Sequence, residues 1–435
     1  MAGREVACHL FKYHCKKHKR YIKTFCCYNL FFMKNKKVYF QLCIMMLMQY
    51  FIFAVWWVPF AAYLNHTLQL EVYQTTLILS AMAIGSIASP FIGFIADRRF
   101  SSQKVLAVLN LLTAALLFLA TQQTAFAGLM ITVTLIMLFY MPTWSLTSSI
   151  AMTHVPAEQF PRIRMMGTIG WVASGLFSLT AIIVFKAEIF DGTSLPLYCG
   201  AFAGLVAAAL NLFLPDTPPA QTEKKKLSVS DILGLRTLST LKSRNFNIFI
   251  IISFLAIIPF TLYHAFGSMF FADEQVRNIT ITMNWGQVAE MLFLFIATSI
   301  LIKYGFKKTL LLGLAAMFLR YATLYLGVEL GQQWWYSIGI LTHGLIFGLF
   351  FVCGQVYTDK TVPKEIRAQA QGFLAFIVWG VGYFTGNQIN GFMIEKFRYE
   401  DKCDWGVLFL VATIFTVVVI GLLMALFKPE KGKNS

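Results

Sequence analysis

Gln287 and Glu290 stand three residues apart in a long apolar run, so on a helix they share one face and can address one ligand. A carboxylate in lipid is costly, and a protein keeps one there mainly to move protons or to hold a polar solute. Glu290 is the one acid set inside such a run; the other carboxylates keep to loops and helix ends. In another apolar stretch Arg164, Thr168 and Trp171 recur at spacings of four and three. A guanidinium, a hydroxyl and a large ring on one helical face can clamp a flat polar solute. Tyr263, His264 and Phe347 add ring faces and hydrogen-bonding edges from two more helices, and His343 adds a second titratable group.

Each of these residues also has a purely structural reading. In a chain with 42 Phe, Trp171 and Phe347 fit packing or lipid-facing roles, and Arg164 fits a charge at a cytoplasmic helix end. His264 and His343 fit neutral histidines bonded to neighbouring carbonyls. Arg320 falls about twelve residues into its span, near mid-membrane at ~1.5 Å per residue. It reads as a buried ion pair or a carbonyl-bonded brace, because the second half needs something to neutralise Glu290; Arg164 is the other candidate partner. The N-terminal set Cys8, His9, His14, Cys15, His18, Cys26 and Cys27 matches no zinc-ligand spacing, so neither metal nor cofactor is expected.

These side chains need helices to hold them in lipid. The chain of 435 residues is 58% hydrophobic and 13% charged, which excludes a soluble core as its organising principle. Stretches of about 20 apolar residues recur along it, and a bilayer forces each to close its own backbone hydrogen bonds as a helix. Twelve such spans predict an all-α polytopic membrane protein of two six-helix bundles. An N-tail (1–38) precedes a first bundle (39–213), a central loop (214–245), a second bundle (246–427) and a C-tail (428–435). The basic run Met33-Lys34-Asn35-Lys36-Lys37 directly before the first span marks Met33 as the expected start, with 1–32 an upstream misannotation. Within the central loop, Ser228 to Leu241 can form a short amphipathic helix on the membrane surface.

A net charge of +16 invites a nucleic-acid reading, which the distribution removes. The side bearing the termini carries thirty of the 36 Lys and Arg, the opposite side only five. That asymmetry is the positive-inside rule, so both termini are expected in the cytoplasm of a protein of the cytoplasmic (inner) membrane.

Gly93-Phe94-Ile95-Ala96-Asp97-Arg98-Arg99, after the second span, resembles the loop signature of the major facilitator superfamily. Gly93 permits close helix approach, and Asp97 and Arg98 at the helix end can make charge-assisted hydrogen bonds. Within that superfamily the chain resembles the nucleoside:proton symporters. The likeness lies in Arg164-Met165-Met166-Gly167-Thr168-Ile169-Gly170-Trp171, Gln287-Val288-Ala289-Glu290, Tyr304-Gly305-Phe306-Lys307-Lys308, Leu319-Arg320-Tyr321 and Ile366-Arg367-Ala368-Gln369-Ala370-Gln371-Gly372-Phe373.

The resemblance implies nucleoside import driven by the proton gradient, through a monomer that handles nucleoside and proton and is not an enzyme. It assigns substrate contact to Arg164, Thr168, Trp171, Gln287, Glu290 and Phe347. Three positions depart from it: Gly348 stands where many relatives have an aspartate, and Thr261 and His264 stand where relatives have a glutamine and an asparagine. Without that aspartate, proton coupling is expected at Glu290 or His343. A proton-coupled sugar or oligosaccharide carrier, and a nucleoside sensor that does not transport, are the alternatives. An intramembrane enzyme is disfavoured, since no HExxH, GxSxG or clustered aspartates are present to activate water or phosphate.

Overall fold

The computed structural model describes residues 36–155, 160–184, 186, 190–218, 243–363, 367–399 and 402–428; side chains at 88, 90–99, 161, 295, 298 and 367–369 also lie outside the description. Among the described residues, twelve helical spans follow one another. In the first half, α1 is Lys36–Ala62, continued by a π-helical turn Tyr63–Thr67. Then come α2 Val72–Arg99, α3 Ser102–Ala120, α4 Phe126–His154, α5 (Phe160–Ala173 and Gly175–Ile183) and α6 Leu195–Asn211.

The second half begins with α7, Arg244–Asp273. A continuous run Ile279–Leu330 is broken at Gly305 (φ 72°, ψ 172°), giving α8 (279–304) and α9 (306–330). A backbone turn in the left-handed region is one that glycine makes without strain. α10 joins Trp334–Ile346, a π-helical Phe347–Val352 and Cys353–Thr361. α11 joins Arg367–Ala375, a π-helical Phe376–Gly382 and Tyr383–Lys396. A two-residue antiparallel hairpin, β1 Arg398–Tyr399 with β2 Lys402–Cys403, leads to α12, Trp405–Leu426.

Twelve spans return the chain to the side on which it started. The start of α1, the end of α12 and the join between the halves therefore share one side, called here the terminal side; the other is the far side. Each half packs within itself, α1 on α5 and α6, α2 and α3 on α4, α7 on α11 and α12. The halves meet along three seams, α1 with α7, α2 with α11 and α5 with α8. The expected division into two six-helix bundles is the one observed.

Some expectations fall outside the description. The Cys/His set at 8–27, the start at Met33 and the amphipathic helix at 228–241 lie outside the described residues. The backbone of Gly93, Asp97 and Arg98 belongs to α2, but their side chains are also outside it.

Candidate functional site

A cavity of about 700 Å³ lies between the halves. Its mouth is set by Phe160, Phe249, Gln355 and Gln371, each within about two turns of a terminal-side helix end. Its deep end, lined by Arg164 and Thr168 of α5, Glu290 of α8 and Phe347 of α10, adjoins a chamber of about 70 Å³ that adds Trp171, His264, Gln287 and His343. The volume suits a ligand of nucleoside or disaccharide size.

Charged and polar groups converge at the deep end. His343 Nε2 lies 3.1 Å from the Gln287 amide nitrogen and 3.6 Å from a carboxylate oxygen of Glu290. With the amide donating, Nε2 accepts, and Nδ1 is buried without a hydrogen-bond partner. A protonated Nε2 would turn instead to Glu290. One nitrogen thus faces two mutually exclusive partners. The close approach of α8 and α10 that allows this depends on Gly344, where an added Cβ would sit 2.5 Å from the backbone of Ala289 and Glu290.

The counter-charge to Glu290 is where sequence reasoning needs correcting. Neither Arg320 nor Arg164 pairs with it. Arg320 is fully buried in α9, with Nε donating to the Gly339 carbonyl at 3.2 Å and to Thr342 Oγ1 at 3.4 Å, and its guanidinium lies 4.4 Å above the Tyr263 ring. It is the carbonyl-bonded brace, tying α9 to α10. Arg164 lies 4.2 Å above the ring of Tyr50, which stacks on Trp144 at 5.5 Å. Held on this aromatic face, Arg164 lines both the cavity and the chamber.

Tyr263 is not among the residues lining either space; it packs behind His343, under Arg320. His264 is at the chamber wall, its Nδ1 2.9 Å from the Tyr383 hydroxyl and its ring stacked on Phe260. Thr261, by contrast, is bound into the α7–α11 contact, accepting from Asn390 Nδ2 at 2.8 Å. A Cβ built at Gly348 would make only ordinary contacts, at 3.7 Å, with Leu294 and Ala297, so space does not dictate glycine there.

Sequence reasoning missed Tyr50, Trp144 and Trp379, all at the deep end of the cavity. Trp379 and Phe347 belong to the π-helical segments of α11 and α10, where the 3.6-residue period used to assign helix faces fails. The mid-helix glycines of Val378-Trp379-Gly380-Val381-Gly382 were the available signal.

The far side is closed by polar contacts across the seams. His66 of the α1 turn meets Asp273 of α7 at 2.9 Å, and Asn65 accepts from Arg398 at 3.1 Å. Gln388 of α11 donates to Ser80 of α2 at 2.9 Å, and Asn284 of α8 donates to the Val172 carbonyl of α5 at 3.2 Å. A cavity open at one membrane side and sealed at the other is the geometry of a carrier between bundles.

A sequence profile described as "Nucleoside H+ symporter" matches residues 36–432. The chain belongs to the nucleoside H+ symporter family. It is 35% identical to the putative nucleoside transporter YegT of Escherichia coli over 90% of this chain and 94% of the relative. To the nucleoside permease NupG of the same organism it is 26% identical, over 89% and 95% of the two chains. The crystal structure of NupG superimposes with a TM-score of 0.79 at 25% identity, covering 90% of this chain and all of NupG. A D-xylose–proton symporter shares the fold, with a TM-score of 0.69 at 14% identity. This symporter is thus a membrane transporter of the major facilitator fold and not an enzyme.

Proposed function

We propose that this family member imports nucleosides with protons by alternating access, and that Gln287, Glu290 and His343 couple the two. The terminal side is read as cytoplasmic from its basic loops, which makes the structure inward-open. The observation that carries the coupling is the single nitrogen of His343 placed between an amide and a carboxylate.

With His343 neutral, Gln287 spends its amide on the ring. A proton entering this group, on His343 or on Glu290, draws Nε2 and the carboxylate together and frees the Gln287 amide for the solute. Proton and nucleoside then favour each other's binding, which is the linkage symport requires. The base stacks against Trp171, Phe347 and Trp379, while Arg164, Thr168 and the freed amide bond its edge or the ribose hydroxyls. Stacking accepts any base, so the polar contacts set preference. A proton moved inward across about 100 mV supplies ~2.3 kcal/mol, enough for tens-fold accumulation. The carrier is taken to work as a monomer, with both halves of one chain lining the cavity.

Uptake of labelled uridine and adenosine into cells lacking other nucleoside carriers, with sugars as competitors, tests this reading. Nucleosides should compete and sugars should not; inhibition by a sugar alone would overturn it.

A further inference from the structure

Helix α8 begins without a cap of its own. Its N-cap residue, Asn278, is in the left-handed region (φ 57°) and makes no side-chain capping bond. The first turn of a helix presents unpaired N–H groups and a partial positive charge, which an acceptor must satisfy when they are buried. That acceptor comes from the other half of the protein. Asp191, in the far-side loop after α5, takes a hydrogen bond from the Thr280 backbone N–H at 3.0 Å and from the Thr280 hydroxyl at 2.5 Å, with a further backbone bond from Ile279. Both residues are buried, Asp191 to 8% and Thr280 to 1% of their free surface.

We propose that Asp191 is the latch of the far-side gate, a carboxylate of one half that caps helix α8 of the other and holds the far side shut. The α1–α7 and α2–α11 seams close through side chains, with one backbone N–H, that of Ala62, donating to Ser268 Oγ at 3.3 Å. At the α5–α8 seam the halves share a helix cap, so parting there leaves the start of α8 without an acceptor until water replaces it. These bonds form only in the closed-far-side state, and a buried donor left without its acceptor is costly. The latch therefore sets how readily this transporter turns outward. The inference rests on the alternating-access reading but not on the identity of the solute.

Its test is the far-side distance between spin labels at Thr124 and Gln332, one exposed far-side position in each half, after replacement of the native cysteines. Pulsed electron resonance without solute, which is indifferent to what is carried, should give mainly a short distance for the parent. Asp191→Ala should raise the ratio of long to short distances at least tenfold. Asp191→Asn, which keeps one acceptor, and Thr280→Val, which removes the hydroxyl donor, should fall between. If Asp191→Ala fails to fold as judged by gel filtration, those two milder variants decide. Distances unchanged in every folded variant would overturn the latch. Uridine exchange measured on the same variants reports separately on the nucleoside reading.

Discussion

His343 of α10 and Glu290 of α8 meet at 3.6 Å with both side chains buried, and Gln287, one turn before Glu290, holds the same imidazole nitrogen at 3.1 Å. A carboxylate desolvated without a partner would be strongly destabilising, and His343 is the basic group that stands beside this one. In the proposed coupling, a proton entering this pair changes which group holds Gln287.

His343→Gln keeps a hydrogen-bonding side chain beside Gln287 and removes the titratable ring. Uridine uptake into proteoliposomes driven by an imposed pH gradient should fall at least tenfold, while exchange of internal for external uridine continues. Equal losses in both assays would make His343 structural and not coupling.

Gly344→Val places a side chain where even a Cβ lies 2.5 Å from the α8 backbone. Overpacking of this kind typically costs about 1–3 kcal/mol. The thermal unfolding temperature in detergent should drop, and gradient-driven uptake should fall further than protein abundance does, because the wedge parts His343 from Glu290. Unchanged unfolding and uptake would show that the two helices can separate freely.

Much of the fold was legible in the sequence because lipid imposes a coarse rule: apolar length decides the spans. The Gln287–Glu290 face was legible for a similar reason, since intramembrane carboxylates are scarce. The partner of Glu290 was not. Arg320 was the obvious cation, yet it is spent on the Gly339 carbonyl and Thr342, while Gly344 brings α10 close enough for His343 to take the place. Trp379 was hidden by its π-helical segment, and the Asp191–Thr280 cap joins residues 89 apart that no local pattern connects.

Trp379 lines both the cavity and the chamber and packs on Phe260 and Phe351. Trp379→Ala should raise the KM for uridine roughly tenfold, in line with an aromatic contact of about 0.5–1.5 kcal/mol plus lost area. Trp379→Phe should restore most of the loss. No change in KM in the alanine variant would remove this ring from the base site.

Burial pushes the Asp191 carboxyl above the usual carboxylate range, with the Thr280 and Ile279 hydrogen bonds opposing. The closed far side therefore binds this proton more tightly than an open one, in which the group is solvated. Closure is favoured at pH below the open-state value and weakens as pH rises through the closed-state value. Far-side label distances followed from about pH 4 to about pH 7 should lengthen with pH. His66 and Asp273 face each other at the neighbouring seam, so the difference between the parent and Asp191→Asn isolates the contribution of Asp191. Identical profiles for the two would contradict it.

The most direct test of the coupling site is labelled uridine uptake in nucleoside-transport-deficient cells, with and without a protonophore, comparing the parent with Glu290→Gln. The account predicts parental accumulation that the protonophore abolishes, and a variant that only equilibrates uridine and ignores the protonophore. Accumulation by Glu290→Gln that matches the parent and is still abolished by the protonophore would contradict it, placing the coupling proton elsewhere in the chain.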